Sequence, residues 1–230
     1  LPPTPSLPSP PAQTLSTAGL LEGRALSCRR GRRLLFEGLD IALPAGSITW
    51  LRGTNGSGKT SLMRILAGLS APAEGEVLWN GLPLRKAGSA ARLGMLYIGH
   101  ANALKEELTL HEALRFLAQL TEQPGAPAAD ARAQHALVRL GLGTRAKAMV
   151  RTLSQGQRRR GALARLALDE APRTWILDEP YDALDSDSTQ LLSTLITEHA
   201  ARGGAVLLTS HQEVTLPGLR EHRLQPSPQR

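Results

Sequence analysis

One cysteine stands in the whole chain, Cys28, so no internal disulfide and no Cys-x-x-Cys pair can form. That excludes a disulfide-framed secreted miniprotein, a cysteine-based zinc site and haem attachment through Cys-x-x-Cys-His. Aromatic residues make up only 3% of the sequence, which argues against a base-stacking module, whose platforms are aromatic. Long apolar runs are missing as well. Stretches such as Ala205 to Leu208 are a few residues long, against about 20 for a helix that crosses a bilayer. No basic segment followed by an apolar core opens the sequence, so no secretory signal is read from it. Acid is the scarcer charge, with 20 Asp and Glu against 27 Lys and Arg and a net charge of +7. Nucleic acid, a phospholipid surface and the phosphates of a small ligand all remain open as anionic partners.

What is present suffices for a folded domain. With 230 residues, 41% of them hydrophobic, the chain can bury the core of one α/β domain or two small ones. Residues 1–18 hold six of the sixteen prolines and no charged side chain. They read as a disordered or polyproline-like leader, either a docking peptide or a non-functional extension. Residues 19–225 read as a single domain.

Within it, Leu34 to Leu43 is strand-like, Pro44-Ala45-Gly46 turns the chain, and Ser47 to Arg52 is a short apolar strand. Ser61 to Leu69 carries apolar residues at helical spacing. Glu76 to Leu82 contains the hairpin pair Asn80-Gly81. Gly94 to Ile98, Trp175 to Leu177 and Ala205 to Thr209 are further apolar strands, and Cys28 is expected as a small residue in a strand. Thr109-Leu110-His111-Glu112 has the form of a capping box and opens a helix to about Thr121. Helices follow over Ala131 to Leu140, from Ser154 to about Leu168, and over Asp185 to Ala201. Strands on either side of a helical middle, about 100–170, predict a parallel-sheet core with an inserted helical subdomain.

Gly53-Thr54-Asn55-Gly56-Ser57-Gly58-Lys59-Thr60 fits the pattern G-x-x-x-x-G-K-[ST], and it lies between a strand and the helix that opens through Ser61. Glycines let the backbone curl so that successive N–H groups point inward at phosphates. The helix beginning at Lys59 adds the positive end of its dipole. Lys59 can supply a point charge to the β- and γ-phosphates, and the Thr60 hydroxyl can ligate Mg²⁺.

Further along, the strand Trp175-Ile176-Leu177 ends in two carboxylates, Asp178 and Glu179. In a parallel sheet that end faces the ligand crevice. Asp178 can hold Mg²⁺ through water, and Glu179 can orient or deprotonate an attacking water. Standing alone, the pair would read as a solvated acidic turn. Beside a phosphate loop it reads as hydrolytic.

Two more stretches carry a resemblance. Leu153-Ser154-Gln155-Gly156-Gln157 is similar to the LSGGQ signature of ATP-binding cassette ATPases, and Ala183-Leu184-Asp185 resembles their D-loop. His211, in Thr209-Ser210-His211-Gln212, resembles their switch histidine. The resemblance runs over residues 20–215. It implies a P-loop NTPase of α/β class and cassette type, with an antiparallel β subdomain beside the parallel core, binding ATP with Mg²⁺. It also implies that ATP is sandwiched between two copies, Ser154, Gly156 and Gln157 of one facing the nucleotide held by the other. LLFEGLDIAL, GEVLWNG, YIGH, LARLAL, WILDEPYDALD and TSHQ narrow it to the ATPase subunits of cytochrome c maturation transporters, the haem exporters. The two-copy site implies a homodimer or pairing with a similar cassette subunit, and the narrower likeness implies a place on the cytoplasmic face of the inner membrane, bound to a multi-span permease, with no nucleic-acid partner.

The sequence departs from that pattern where Gly99-His100-Ala101 lacks the usual Gln, and around Cys28 and Arg29, where an adenine-stacking aromatic is missing. Slower or altered hydrolysis is expected from the first, and a stacking role for Arg29 or Arg30 competes with plain solvated charge for the second. Nine basic residues and no acid lie between Ala131 and Leu168. They read as facing a triphosphate and an anionic bilayer, several of them as a solvated helix face. A soluble cassette ATPase acting on nucleic acid or the ribosome is the competing reading. Such proteins usually carry tandem cassettes or a long coiled-coil insertion, neither of which is seen. A small P-loop kinase or GTPase would leave LSQGQ and ALD unexplained.

Overall fold

In the computed structural model, residues 20–121, 127–168 and 170–225 are described. The Pro-rich leader and most of the loop after Thr121 lie outside them. Two sheets organise the rest. The first is antiparallel and combines β1 (Leu21–Arg30), β2 (Arg33–Leu43), β4 (Glu74–Trp79) and β5 (Leu82–Pro83) in the order β2-β1-β4-β5. Asn80 and Gly81, with φ of 51° and 76°, form the tight link between β4 and β5 that the Asn-Gly pair favours. The second is parallel, in the order β6-β7-β8-β3-β9, from β6 (Met95–Ile98), β7 (Thr174–Leu177), β8 (Ala205–Leu208), β3 (Ile48–Arg52) and β9 (Leu219–Arg223).

The middle strands of the parallel sheet are buried on both faces, which is why they read as unbroken apolar runs. Their alternate residues divide between two cores. Trp50, Trp175, Leu177, Val206 and Leu208 face one, shared with Leu110 and Leu114 of α3 (Leu110–Leu120), Leu137 of α4 (Ala129–Arg139), Leu163 of α5 (Gln155–Leu163) and Leu195 of α6 (Ser186–Ala201). Leu51, Ile176 and Leu207 face the other, shared with the antiparallel sheet and with α1 (Lys59–Leu66).

Three elements differ from the sequence expectation. The helix that opens after Ser154 leaves α geometry at Leu163 and tightens into a 3₁₀ turn over Ala164–Ala167. An additional helix, α2 (Leu84–Gly94), is broken by Gly88 at φ 56°, and its apolar row of Leu84, Ala87 and Ala91 is short and mostly alanine, a weak signal in the sequence. Among the described residues the polar β9 pairs only with β3, and at the sheet edge it needs no apolar face.

Candidate functional site

Parallel pairing places the ends of β3, β8 and β7 side by side on one edge of the sheet, with β8 in the middle. The phosphate loop follows β3, Thr209 follows β8, and Asp178 and Glu179 follow β7. Topology alone therefore gathers segments that are more than a hundred residues apart.

In the loop, Gly58 has φ 103° and Gly56 has φ 77°. Both lie in the left-handed region, where a side chain is strained. A Cβ on Gly58 would also lie 3.1 Å from the Phe36 ring, so β2 packs directly under the start of α1. No side chain caps α1, which leaves its first N–H groups for an anion. The Lys59 ammonium donates to the carbonyls of Gly53 (2.8 Å) and Thr54 (3.3 Å), which hold it across the loop. Gly53, Thr54, Asn55 and Thr60 are exposed. Ser57 is buried, and its hydroxyl has no hydrogen-bond partner among the described residues. Ser61 turns away from the loop and hydrogen-bonds Cys28, a buried thiol whose pKa burial pushes up.

At the carboxylate end one hydroxyl organises both acids. Thr209 Oγ1 donates to Asp178 Oδ1 (3.0 Å) and accepts the Glu179 N–H (2.8 Å). Hydrogen bonds to charged groups contribute about 1.5–3 kcal/mol each, enough to fix the orientation of Asp178. Glu179 has φ 48°, a strained backbone for a residue with a side chain. Its carboxylate accepts the His211 N–H at Oε2 (2.9 Å) and lies 3.5 Å from His211 Nε2 at Oε1. Burial pushes the Glu179 carboxyl above the usual carboxylate range, and the neighbouring His211 offsets part of that rise. A buried carboxylate of raised basicity, held by a histidine, can take a proton from water. Thr60 and Asp178 offer hard oxygen atoms of the type that Mg²⁺ takes.

The signature residues sit elsewhere in the fold. Ser154 Oγ accepts the Gln157 N–H (3.2 Å) and Gln157 Oε1 accepts the Ser154 N–H (3.0 Å), a reciprocal cap on α5. Gly156 lies against the carbonyl of Ala183, which a Cβ would approach to 2.9 Å. Arg159, on the same helix, runs inward to the carboxylate edge.

No motif in the sequence marks Arg159 or Thr209 as a site residue. Thr209 could have been found from its place at the end of the strand that leads to His211. Arg159 is hidden among three successive arginines, yet it is four residues before the buried Leu163 and shares its face of the helix. Two of the nine basic residues between Ala131 and Leu168 thus correct the reading of a charged outer surface. Arg159 is buried, and so is Arg132, whose guanidinium donates to the carbonyls of Leu168 (2.8 Å) and Ala118 (3.1 Å). Arg29 and Arg30 are exposed at the end of β1. His100 Nδ1 lies 3.8 Å from Asp182 Oδ2.

The sequence profile of the ABC transporter family matches residues 36–182. A protein of Albidiferax ferrireducens named cytochrome c biogenesis ATP-binding export protein CcmA is 44% identical over 203 residues, 88% of this chain and 94% of its own length. The protein of that name from Methylococcus capsulatus is 47% identical over 193 residues, 84% of this chain and 91% of its own length. A solved ATP-binding subunit of an ABC transporter superposes with a TM-score of 0.73 at 29% identity, covering 84% of this chain and 79% of the other.

Proposed function

The chain belongs to the ABC transporter family, as the ATP-hydrolysing subunit of a cytochrome c biogenesis export system, and we propose how its residues carry out that work. Gly53 to Thr60 cradle the phosphates, with Lys59 against the β- and γ-phosphates and Ser61 continuing the helix behind them. Thr60 and Asp178 hold Mg²⁺, which when bound neutralises charge on the phosphates. Glu179 orients the attacking water and takes its proton, and His211 holds the Glu179 carboxylate in place. Ser154, Gly156 and Gln157 face the nucleotide of a second copy, a reading supported by their likeness to the signature segment and by their place at the N-terminus of α5, which favours an anion.

Among the described residues no helix is long and apolar enough to cross a membrane. The energy is delivered to a separate multi-span permease, from the cytoplasmic face of the inner membrane, a reading that rests on the likeness to ATP-binding proteins of export systems. Haem is the cargo proposed for that system, on the resemblance to the haem-exporter ATPases.

The observation that carries this reading is the Glu179 carboxylate, seated on His211 one strand away from the phosphate-loop strand, with its basicity raised by burial. Replacing Glu179 with Gln keeps the shape and removes the base. The Glu179→Gln protein is expected to bind ATP with Mg²⁺ at unchanged affinity, to lose turnover by about 100-fold or more, and to accumulate as an ATP-dependent dimer in sizing experiments. Normal turnover in that variant would refute the role of Glu179.

A further inference from the structure

Three arginines follow one another on α5, and their side chains part company. Arg158 Nε donates to the Leu153 carbonyl (3.0 Å) and Arg160 Nη1 to that of Leu140 (3.4 Å), so both serve the helix's own surroundings. Arg159 is 3% exposed. Its Nη1 donates to the carbonyl of Gly99 (3.0 Å), and its Nη2 to those of Asp178 (3.0 Å) and Glu179 (2.7 Å). One rigid fork thus holds the ends of β6 and β7 and the backbone of the acidic pair.

The Glu179 bonds have a second consequence. Glu179 is the residue held at φ 48°. Its N–H is taken by Thr209 and its C=O by Arg159, so the peptide groups on both sides of a strained residue are pinned. Such conformations persist only where the surroundings over-determine them. Along the same helix, Gly156 meets the Ala183 carbonyl, while Gly161 packs so closely on Leu110 that a Cβ there would lie 2.7 Å from Leu110 Cδ1. The helix is seated at its start, middle and end.

We propose that Arg159 is a positioning residue for Glu179, and that through it α5 acts as a rigid link between this chain's signature residues and its own hydrolytic carboxylate. When Ser154 and Gly156 close on a nucleotide held by a second copy, the displacement of α5 is passed to the Asp178–Glu179 backbone. The two nucleotide sites of the pair are thereby coupled. This rests on the reading of Glu179 and of the two-copy assembly given above.

The test uses the full chain with Arg159→Gln and Arg159→Lys. In Arg159→Gln, kcat is expected to fall at least about tenfold while KM and the equilibrium affinity for ATP change by less than about threefold. Arg159→Lys, which keeps a cationic donor, is expected to recover part of that loss. An unchanged kcat per folded molecule in Arg159→Gln overturns the proposal, as does a fall in kcat matched by an equal fall in ATP affinity. Should Glu179→Gln turn over normally, the underlying reading fails. Should Glu179→Gln be inactive and Arg159→Gln normal, only the present proposal fails.

A second measurement leaves Arg159 in place. In the ¹⁵N guanidinium spectrum of the full-length Glu179→Gln protein, Arg159 is expected to give a slowly rotating, dispersed signal that shifts when ATP with Mg²⁺ is added. A freely rotating group, or no shift, overturns the proposal.

Discussion

Among the buried ionisable side chains, Glu179, Arg159 and His199 each meet the cost of desolvation differently. Glu179 sets the His211 N–H and imidazole against part of its desolvation. Arg159 donates to three carbonyls, and the carboxylates of Asp182, Asp178 and Glu179 offset part of the lowering that burial imposes on it. His199, fully buried on α6, stacks on Trp175 with ring centroids 3.5 Å apart and donates from Nε2 to the Arg173 carbonyl (2.8 Å). Burial holds its pKa down to about 4, with nearby Arg202 and Arg173 acting in the same direction. In the unfolded chain the same imidazole titrates near 6.5. Between those values the unfolded state binds more protons than the folded one, so stability is complete above about pH 6.5 and is lost as pH falls towards 4. Urea denaturation at pH 7.5, 6 and 5 is expected to show a falling midpoint. His199→Gln, which keeps a donor for the Arg173 carbonyl and cannot titrate, is expected to flatten that slope while lowering stability throughout. An equal slope in both proteins would assign the effect to other groups. None of this is legible from one histidine in a sequence, because burial depends on what α6 packs against.

Local chemistry and long-range packing act together in α5. Its start is written in the sequence, since Ser154 and Gln157 stand at capping-box spacing and form that cap. Its interior runs against local preference at Gly161, where Ala would favour the helix by about 1 kcal/mol. The opposing effect is tertiary. A Cβ there would lie 2.7 Å from Leu110 Cδ1 and 3.2 Å from Leu104 Cδ1, and overpacking a filled core costs about 1–3 kcal/mol. Leu110 is fully buried and has little room to turn aside. Packing therefore wins, and Gly161→Ala is expected to lose about 1 kcal/mol of stability by denaturant titration. A gain would mean that Leu110 yields. The same contrast separates the elements that were foreseen from those that were not. The phosphate-loop helix and strands β3, β7 and β8 declare themselves by apolar pattern. The edge strand β9 buries too little to leave a pattern, and the apolar row of the kinked α2 is short and mostly alanine, so their neighbours define them.

For the whole molecule, the parallel sheet performs two tasks at once. Its alternating side chains feed a helical core on one face and a β-rich core on the other, and its carboxyl edge collects the phosphate loop, Asp178, Glu179 and Thr209. The Gly99-His100-Ala101 segment follows β6 on the same edge, with Ala101 exposed. An alanine there offers no side-chain oxygen, and the adjacent His100 lies towards Asp182. Ala101→Gln is accordingly expected to raise ATP turnover of the assembled transporter by about two- to tenfold, measured with the membrane partner present, and an unchanged rate would mean that the missing amide does not limit hydrolysis. Sequence by itself determined the residues of the phosphate loop, the acidic pair and the signature segment, because backbone curvature, charge and capping are local properties of residue types at fixed spacing. Tertiary structure alone decided that one threonine serves both acids and that one arginine of three turns inward to hold the strained Glu179. Those contacts join positions tens of residues apart, and their geometry is set by strand order and burial, which no local spacing encodes.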